Sequence, residues 1–132
     1  SNAMFLNNSV FNGNLSNWTL YGNNGQRMFQ NCGDFTGIGL DTHNWYITSG
    51  TSGSLTPFQS CFHLSSNVVD AKLSGLLANC KTIADSNSSY NDFVGFGIGK
   101  YRAALTGALL NNVQSLESTP YNWTFLNGSY PI

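Results

Sequence analysis

A thiol, an imidazole and two carboxylates fall close together in the first third of the sequence. Cys32 is followed by Asp34, by Asp41 and by His43. A cysteine hydrolase needs an imidazole to deprotonate the thiol and a carboxylate or amide to orient that imidazole. One functional hypothesis is therefore a cysteine hydrolase that uses Cys32 and His43. Asp41 or Asp34 would be its orienting group.

A second combination of thiols and imidazoles could bind a metal. Cys61 and His63 are two residues apart on a predicted strand, so their side chains point to the same face. Together with Cys32 and His43 they would make the two-Cys, two-His set that zinc takes. The chain has no Cys-x-x-Cys, however, and we expect no metal site. Cys80 falls on the apolar face of a predicted helix and is expected in the core.

A glycine-rich segment, Gly95–Lys100, precedes a predicted helix and invites comparison with phosphate-binding loops. Val94 stands where a P-loop needs glycine, and Tyr101 stands where it needs Ser or Thr. The third glycine is also misplaced for the dinucleotide-binding fingerprint. The sequence therefore predicts no nucleotide and no other cofactor.

Aromatic residues in strand-like runs suggest a saccharide-binding surface as another hypothesis. Flat rings stack on the C–H groups of sugars, and neighbouring amides and hydroxyls hydrogen-bond the sugar hydroxyls. Low charge suits a neutral saccharide. The residues of this candidate platform are Trp18, Trp45, Tyr46, Tyr121 and Trp123.

The composition is apolar and aromatic but carries few charges. Hydrophobic residues make up 41% and aromatic residues 14%, whereas only 8% of residues are charged and the net charge is −1. Five basic residues are too few for a partner held mainly through phosphates, so we expect no nucleic acid. The sequence contains no run of 18 apolar residues, and we expect no membrane span.

The first residues suggest that the chain is a whole gene product preceded by a short remnant of an expression tag. Residues 1–3 are interpreted as the scar, Met4 as the initiator and residues 4–132 as one globular domain. The residues after Met4 do not resemble a signal peptide. We expect a protein that stays in the cytoplasm or is assembled into a particle, while a fragment of a secreted chain remains the alternative.

The first half of the chain reads as short strands and turns. Its apolar runs are rich in aromatic and β-branched residues and are separated by Asn-Gly pairs and by Gly/Ser-rich loops. The predicted strands are Met4–Phe11, Asn17–Tyr21, Gln26–Gln30, Asn44–Thr48 and Pro57–Leu64, and 121–126 makes a sixth.

The second half reads as two helices. Apolar residues recur at a 4-3-4-3 spacing from Val69 to Ile83, which predicts a helix over 67–85. A similar stripe from Ile98 to Leu116 predicts a helix over 99–117, and Pro120 ends it.

Together these elements predict an α+β fold in which both helices pack on one face of a twisted, mainly antiparallel sheet of about six strands. The alternative is an all-β sandwich. A surface of neutral amides and rings is poorly protected against association. We therefore favour a non-enzymatic structural or interaction protein whose partners are copies of itself or other protein subunits. A virion or phage-tail component is its most concrete form.

Overall fold

A computed structural model describes residues 5–18, 20–21, 27–42, 45–46, 67–127 and 130–132. Two α-helices, short strands and two 3-10 turns make up its regular structure. The strands are β1 (Leu20–Tyr21), β2 (Trp45–Tyr46), β3 (Phe96–Gly97), β4 (Phe125–Asn127) and β5 (Tyr130–Pro131). The helices are α1 (Asp70–Ser86) and α2 (Gly107–Glu117), and the 3-10 turns are Ser88–Tyr90 and Arg102–Ala104.

The strands form two small sheets in the described part of the chain. β1 and β2 pair in parallel, with Leu20 opposite Trp45. The other sheet has the order β3-β4-β5, in which β3 and β4 are parallel and β4 and β5 are antiparallel. The predicted mainly antiparallel sheet of about six strands with helices on one face is therefore wrong, and the two α-helices exclude the all-β sandwich.

Two of the six predicted strands, Met4–Phe11 and Gln26–Gln30, form turns instead. Three others hold only short strands, because β1 lies in Asn17–Tyr21, β2 lies in Asn44–Thr48 and β4 overlaps 121–126. Residues 5–7, 9–10 and 27–31 are the turns in or beside these two runs. Asn7 and Asn31 have φ values of 60°, a left-handed conformation that interrupts an extended strand. The Pro57–Leu64 prediction lies outside the described residues.

Two successive segments of the chain instead run side by side in the same direction. We call residues 5–18 coil 1 and residues 27–42 coil 2. The amides of Phe5, Asn7 and Leu15 donate to carbonyl oxygens of residues 28, 30 and 38 at 2.9–3.1 Å. In return, the amide of Asp34 donates to the carbonyl oxygen of Ser9 at 2.9 Å. This is the pattern of a parallel pair with an offset of about 24 residues, and the pairing of β1 with β2 continues it at 25.

Side chains repeat with the same offset. Phe5 and Phe11 stack on each other in coil 1 with ring centroids 3.9 Å apart, and Phe29 and Phe35 do so in coil 2 at 4.6 Å. Rings of the two coils lie 5.7–6.2 Å apart. The two coils are therefore successive turns of a repeat in which each turn contributes a pair of phenylalanines.

An asparagine pair joins the coils on their polar side. The side-chain amide of Asn31 donates to Asn7 Oδ1 at 2.8 Å, and both residues have the same left-handed backbone conformation. Asparagine tolerates that conformation better than most residues. The same turn is therefore built twice, one copy against the other.

Helix α1 begins three residues later and ends one residue later than predicted. Its buried side chains include Leu73, Leu76, Leu77 and Cys80, so the apolar spacing identified the inner face. Val69 is the N-cap residue and is mostly exposed. The extended backbone conformation of Val69 sets the start of the helix at Asp70.

Helix α2 is much shorter than the predicted 99–117. Leu105 and Thr106 are extended, and α2 begins only at Gly107, whose φ is +55°. Leu105 is buried like the residues of the helix, which is why the apolar stripe ran past the true start. Within α2, Leu109, Val113 and Leu116 are buried.

The helices pack on each other and α1 also packs on coil 2. Between the helices, the side-chain amide of Asn112 donates to Ser74 O at 2.9 Å and to Ser74 Oγ at 2.8 Å. The side-chain amide of Asn79 donates to the carbonyl oxygens of Asp41 and Thr42 at 3.0 and 2.9 Å. One hydrophobic cluster joins the coils to both helices. In the described part of the chain, no helix has the length and apolar character needed to cross a membrane.

Candidate functional site

The predicted nucleophile is a buried thiol. Cys32 has no exposed surface, and its S–H donates to the carbonyl oxygen of Phe5 at 3.0 Å. Burial raises the pKa of Cys32, so the thiol is protonated at neutral pH. In this position Cys32 ties coil 2 to the start of coil 1.

The carboxylates of the predicted catalytic set lie on the surface. Asp34 is exposed, and Asp41 forms an ion pair with Lys72 at 3.1 Å. His43 lies outside the described residues, so the distance from its imidazole to the Cys32 thiol is untested. The structure brings Cys32 next to Phe5 rather than to either carboxylate, and the cysteine-hydrolase hypothesis stays a prediction.

The possible zinc ligands are likewise mostly untested. His43, Cys61 and His63 fall outside the described residues, and within those residues no three His, Cys, Asp or Glu side chains are grouped to hold a metal. The core position of Cys80 is confirmed, because the side chain is 1% exposed and burial strongly raises the pKa of the thiol.

Two rings of the candidate saccharide platform are core residues. Trp123 is buried, and its indole N–H donates to the carbonyl oxygen of Tyr90 at 3.0 Å. Tyr121 is also buried, and its hydroxyl donates to the carboxylate of Asp85. Lys81 Nζ lies 5.4 Å from the centre of the Tyr121 ring. Neither ring has a free face on which a sugar could stack.

Of the other three platform residues, the structure describes the side chain of Trp18 alone. Trp18 is half-buried and packs against Phe5, with ring centroids 5.6 Å apart. Trp45 and Tyr46 supply the backbone of β2, but their side chains lie outside the described residues. Trp18 thus lies in coil 1, whereas Tyr121 and Trp123 lie near the other end of the sequence.

The glycine-rich segment that resembled a phosphate loop enters a sheet. Phe96 and Gly97 form β3, which pairs with β4. Lys100 Nζ lies 3.0 Å from Asp70 Oδ1 and therefore fastens this segment to the first turn of α1. The lysine that a phosphate would need is already paired with a carboxylate.

Two surface grooves are lined mostly by small, uncharged side chains. One, of about 510 Å³, lies between α1 and α2, and the other, of about 540 Å³, lies beside the Arg102–Ala104 turn. The first includes Asp70, and the second includes the Lys100 with which Asp70 is paired. The second also has Tyr101 and Asn127 in its lining. The charged groups of the two linings therefore neutralise each other and leave no free acid–base pair.

Coil 1 carries the most distinctive surface in the described part of the chain. Val10 is 76% exposed, whereas Phe5, Phe11 and Trp18 are partly buried and pack against the core. We call this the coil-1 surface; its residues are Phe5, Leu6, Val10, Phe11 and Trp18. The sequence from residue 5 to residue 18 contains no charged residue at all.

Sequence reasoning named Trp18 but missed the other four residues of the coil-1 surface. The signal that could have found them is the recurrence of Phe-x-Asn-x-x-x-Phe, which starts at Phe5 and again at Phe29. Periods of 20 to 50 residues are typical of stacked repeats.

No family model, no curated protein and no solved structure matches this chain. Its function is therefore inferred from the chemistry and geometry of its own residues.

Proposed function

We propose that the chain is a non-enzymatic interaction protein that acts in an oligomer or a larger assembly. The observation that supports this most is the coil-1 surface, an uncharged segment on which Val10 is largely exposed while Phe5, Phe11 and Trp18 are partly buried against the core.

Association through this surface has a clear driving force. Removing apolar area from water stabilises a complex by about 25 cal/mol per Å² before the entropic costs of association are counted. The low overall charge adds little electrostatic repulsion against a close neighbour. Both terms favour a protein that contacts other subunits.

The candidate catalytic and saccharide-binding residues that the structure describes also support a structural role. Cys32, Tyr121 and Trp123 use their polar groups inside the fold, where each donates a hydrogen bond to another part of the chain. These bonds position segments rather than substrates. The enzymatic alternative and the predicted saccharide platform therefore gain no support from the described residues, and a virion or phage-tail component remains the concrete form of this proposal.

Native mass in solution tests the proposal. The molar mass of the purified chain would be measured by light scattering from the most dilute to the most concentrated sample that stays clear. We expect the mass to rise above that of one chain as concentration increases, following mass action. A monomer mass across the whole range would refute self-association and leave the proposal without its main support.

A further inference from the structure

We propose that the groove beside the Arg102–Ala104 turn is a binding site for a neutral saccharide, with Tyr101 as the ring on which a sugar stacks. We call it the Tyr101 groove; its lining residues are Gly99, Lys100, Tyr101, Ala103, Ala104 and Asn127. All of them belong to one chain, so the inference goes beyond the proposed function and does not rest on it.

Two ion pairs fix the backbone on either side of Tyr101. Lys100 Nζ lies 3.0 Å from Asp70 Oδ1 on α1. Arg102 Nη1 donates to Glu117 Oε1 on α2 at 3.0 Å, and its second terminal nitrogen pairs with the other oxygen of that carboxylate. Both neighbours of Tyr101 are thus fastened to the helices, while Tyr101 itself is 58% exposed. An aromatic side chain on a segment held in this way loses little further freedom when a ligand stacks on it.

The same ion pairs decide the charge of the ligand. The cations of this segment are Lys100 and Arg102, and each is paired with a carboxylate. A phosphate or carboxylate ligand would have to compete with Asp70 for the lysine of the lining. A neutral ligand meets no unpaired charge in the groove.

Asn127 supplies polar recognition from β4. Among the described residues, nothing hydrogen-bonds the side-chain amide of Asn127. The amide can therefore donate to one sugar hydroxyl and accept from another. An exposed ring takes the C–H face of a sugar while a free amide takes its hydroxyls, which is the combination that a neutral polyhydroxy ligand needs.

A second ring lies beside this amide. Asn127 is opposite Tyr130 in the antiparallel pairing of β4 with β5, and cross-strand partners of this kind point to the same face of a sheet. Tyr130 is 69% exposed. Tyr101 and Tyr130 therefore offer the solvent-facing rings that the buried Tyr121 and Trp123 of the predicted platform do not.

The size of the groove favours a small ligand over a protein partner. Its volume of about 540 Å³ falls within the range of roughly 300–1,000 Å³ that small-molecule sites occupy. Each partner of a stable protein interface contributes about 20–30 residues, far more than line this groove. The groove by itself is thus large enough for a saccharide and too small for a protein interface.

The test is saturation-transfer difference NMR of the wild-type chain with oligosaccharides. The neutral probes are cellotetraose, maltotetraose, mannotetraose and N-acetylated chitotetraose, and the anionic control is tetragalacturonic acid. We expect at least one neutral probe to bind with a dissociation constant on the order of 1 mM or tighter, and the anionic control to bind more weakly.

Matched variants assign the binding to the groove. Tyr101→Ala removes the ring and should weaken binding about tenfold, whereas Tyr101→Phe keeps the ring and should change binding by no more than about threefold. Val94→Ala alters another exposed side chain, 57% exposed and outside the lining, and should leave binding unchanged. Asn127→Ala tests the amide separately and should also weaken binding. Circular dichroism shows that each variant is folded.

The outcomes are as follows. Binding of a neutral probe that Tyr101→Ala and Asn127→Ala weaken, and that Tyr101→Phe and Val94→Ala preserve, supports the inference. Binding that survives Tyr101→Ala, or that Val94→Ala weakens equally, overturns the site. Tighter binding of tetragalacturonic acid overturns the neutral ligand, and no binding of any neutral probe overturns the inference as a whole; none of these results changes the oligomeric state on which the proposed function is tested.

Discussion

The stacking of the two coils can be tested by adding one methyl group at Gly39. This residue has a φ of +87°, and a Cβ there would lie 2.6 Å from the carbonyl carbon and 2.9 Å from the amide nitrogen of Leu15. The amide nitrogen of Ser16 would be closer still. All of these are backbone atoms of coil 1, which cannot move aside without breaking the pairing of the coils.

Gly107 is the matched control for backbone conformation. Its φ is +55°, and no heavy atom lies within 4 Å of a Cβ built on it. A left-handed alanine costs about 1–2 kcal/mol, of which the lower entropy of the unfolded chain offsets about 0.4–1 kcal/mol. Gly107→Ala should therefore lower the free energy of unfolding by about 1.6 kcal/mol or less.

Gly39→Ala has that conformational cost and an overpacking cost as well. Forcing a methyl group into a close-packed contact costs about 1–3 kcal/mol. We expect Gly39→Ala to lower the free energy of unfolding by about 1–4.6 kcal/mol in total, a large part of the stability of a typical domain at the upper end. Urea denaturation followed by circular dichroism measures both variants. If Gly39→Ala is no more destabilising than Gly107→Ala, coil 2 does not approach coil 1 as described.

Two further predictions concern the core. Asn112→Ala should lower the free energy of unfolding by about 1–2 kcal/mol, because the carbonyl and hydroxyl of Ser74 lose their donor between α1 and α2; a double-mutant cycle with Ser74→Ala should give a coupling of about 1 kcal/mol, and a coupling near zero would contradict the bond. Burial raises the pKa of Cys80 above the ordinary 9.0, so the folded chain keeps a proton that the unfolded chain releases. The stability that the buried, protonated Cys80 thiol contributes is fully present below about pH 9 and is lost above it at up to about 1.4 kcal/mol per pH unit. Cys80→Ala should flatten that decline in urea midpoints, and an equally steep decline in the variant would refute the assignment.

Helix α1 was predictable because its signal is local. The spacing of Leu73, Leu76 and Cys80 depends only on the period of an α-helix, and these residues are buried as expected. The start of α2 was not predictable in the same way. Leu105 is buried from an extended segment, and the burial of a residue does not reveal its backbone conformation.

The coil repeat was missed because its evidence is distributed over distant residues. Phe5 and Phe29 pair across 24 positions, and the sequences of coil 1 and coil 2 differ at most of their corresponding positions. Each coil has a left-handed asparagine in or beside its apolar run, and that conformation ends an extended segment although the apolar residues around it suggest a strand. Such a fold is determined by pairings between distant segments, and local propensity carries no information about these pairings.

The candidate site was predictable only in its composition. The lack of charge in the first part of the chain indicated a protein that contacts other molecules, but it did not indicate which residues are exposed. Trp123 shows the difficulty: its indole N–H is satisfied by the carbonyl oxygen of Tyr90, a partner that sequence alone does not reveal. An exposed aromatic and a buried aromatic with such a bond look alike in sequence.

Hydrogen–deuterium exchange at low and high protein concentration tests the central claim most directly, because it alters no residue and locates the contact. If copies of the chain associate, the amides at their contact become more protected as concentration rises, while the amides elsewhere exchange at the same rate throughout. Exchange that is independent of concentration at every amide would contradict the account.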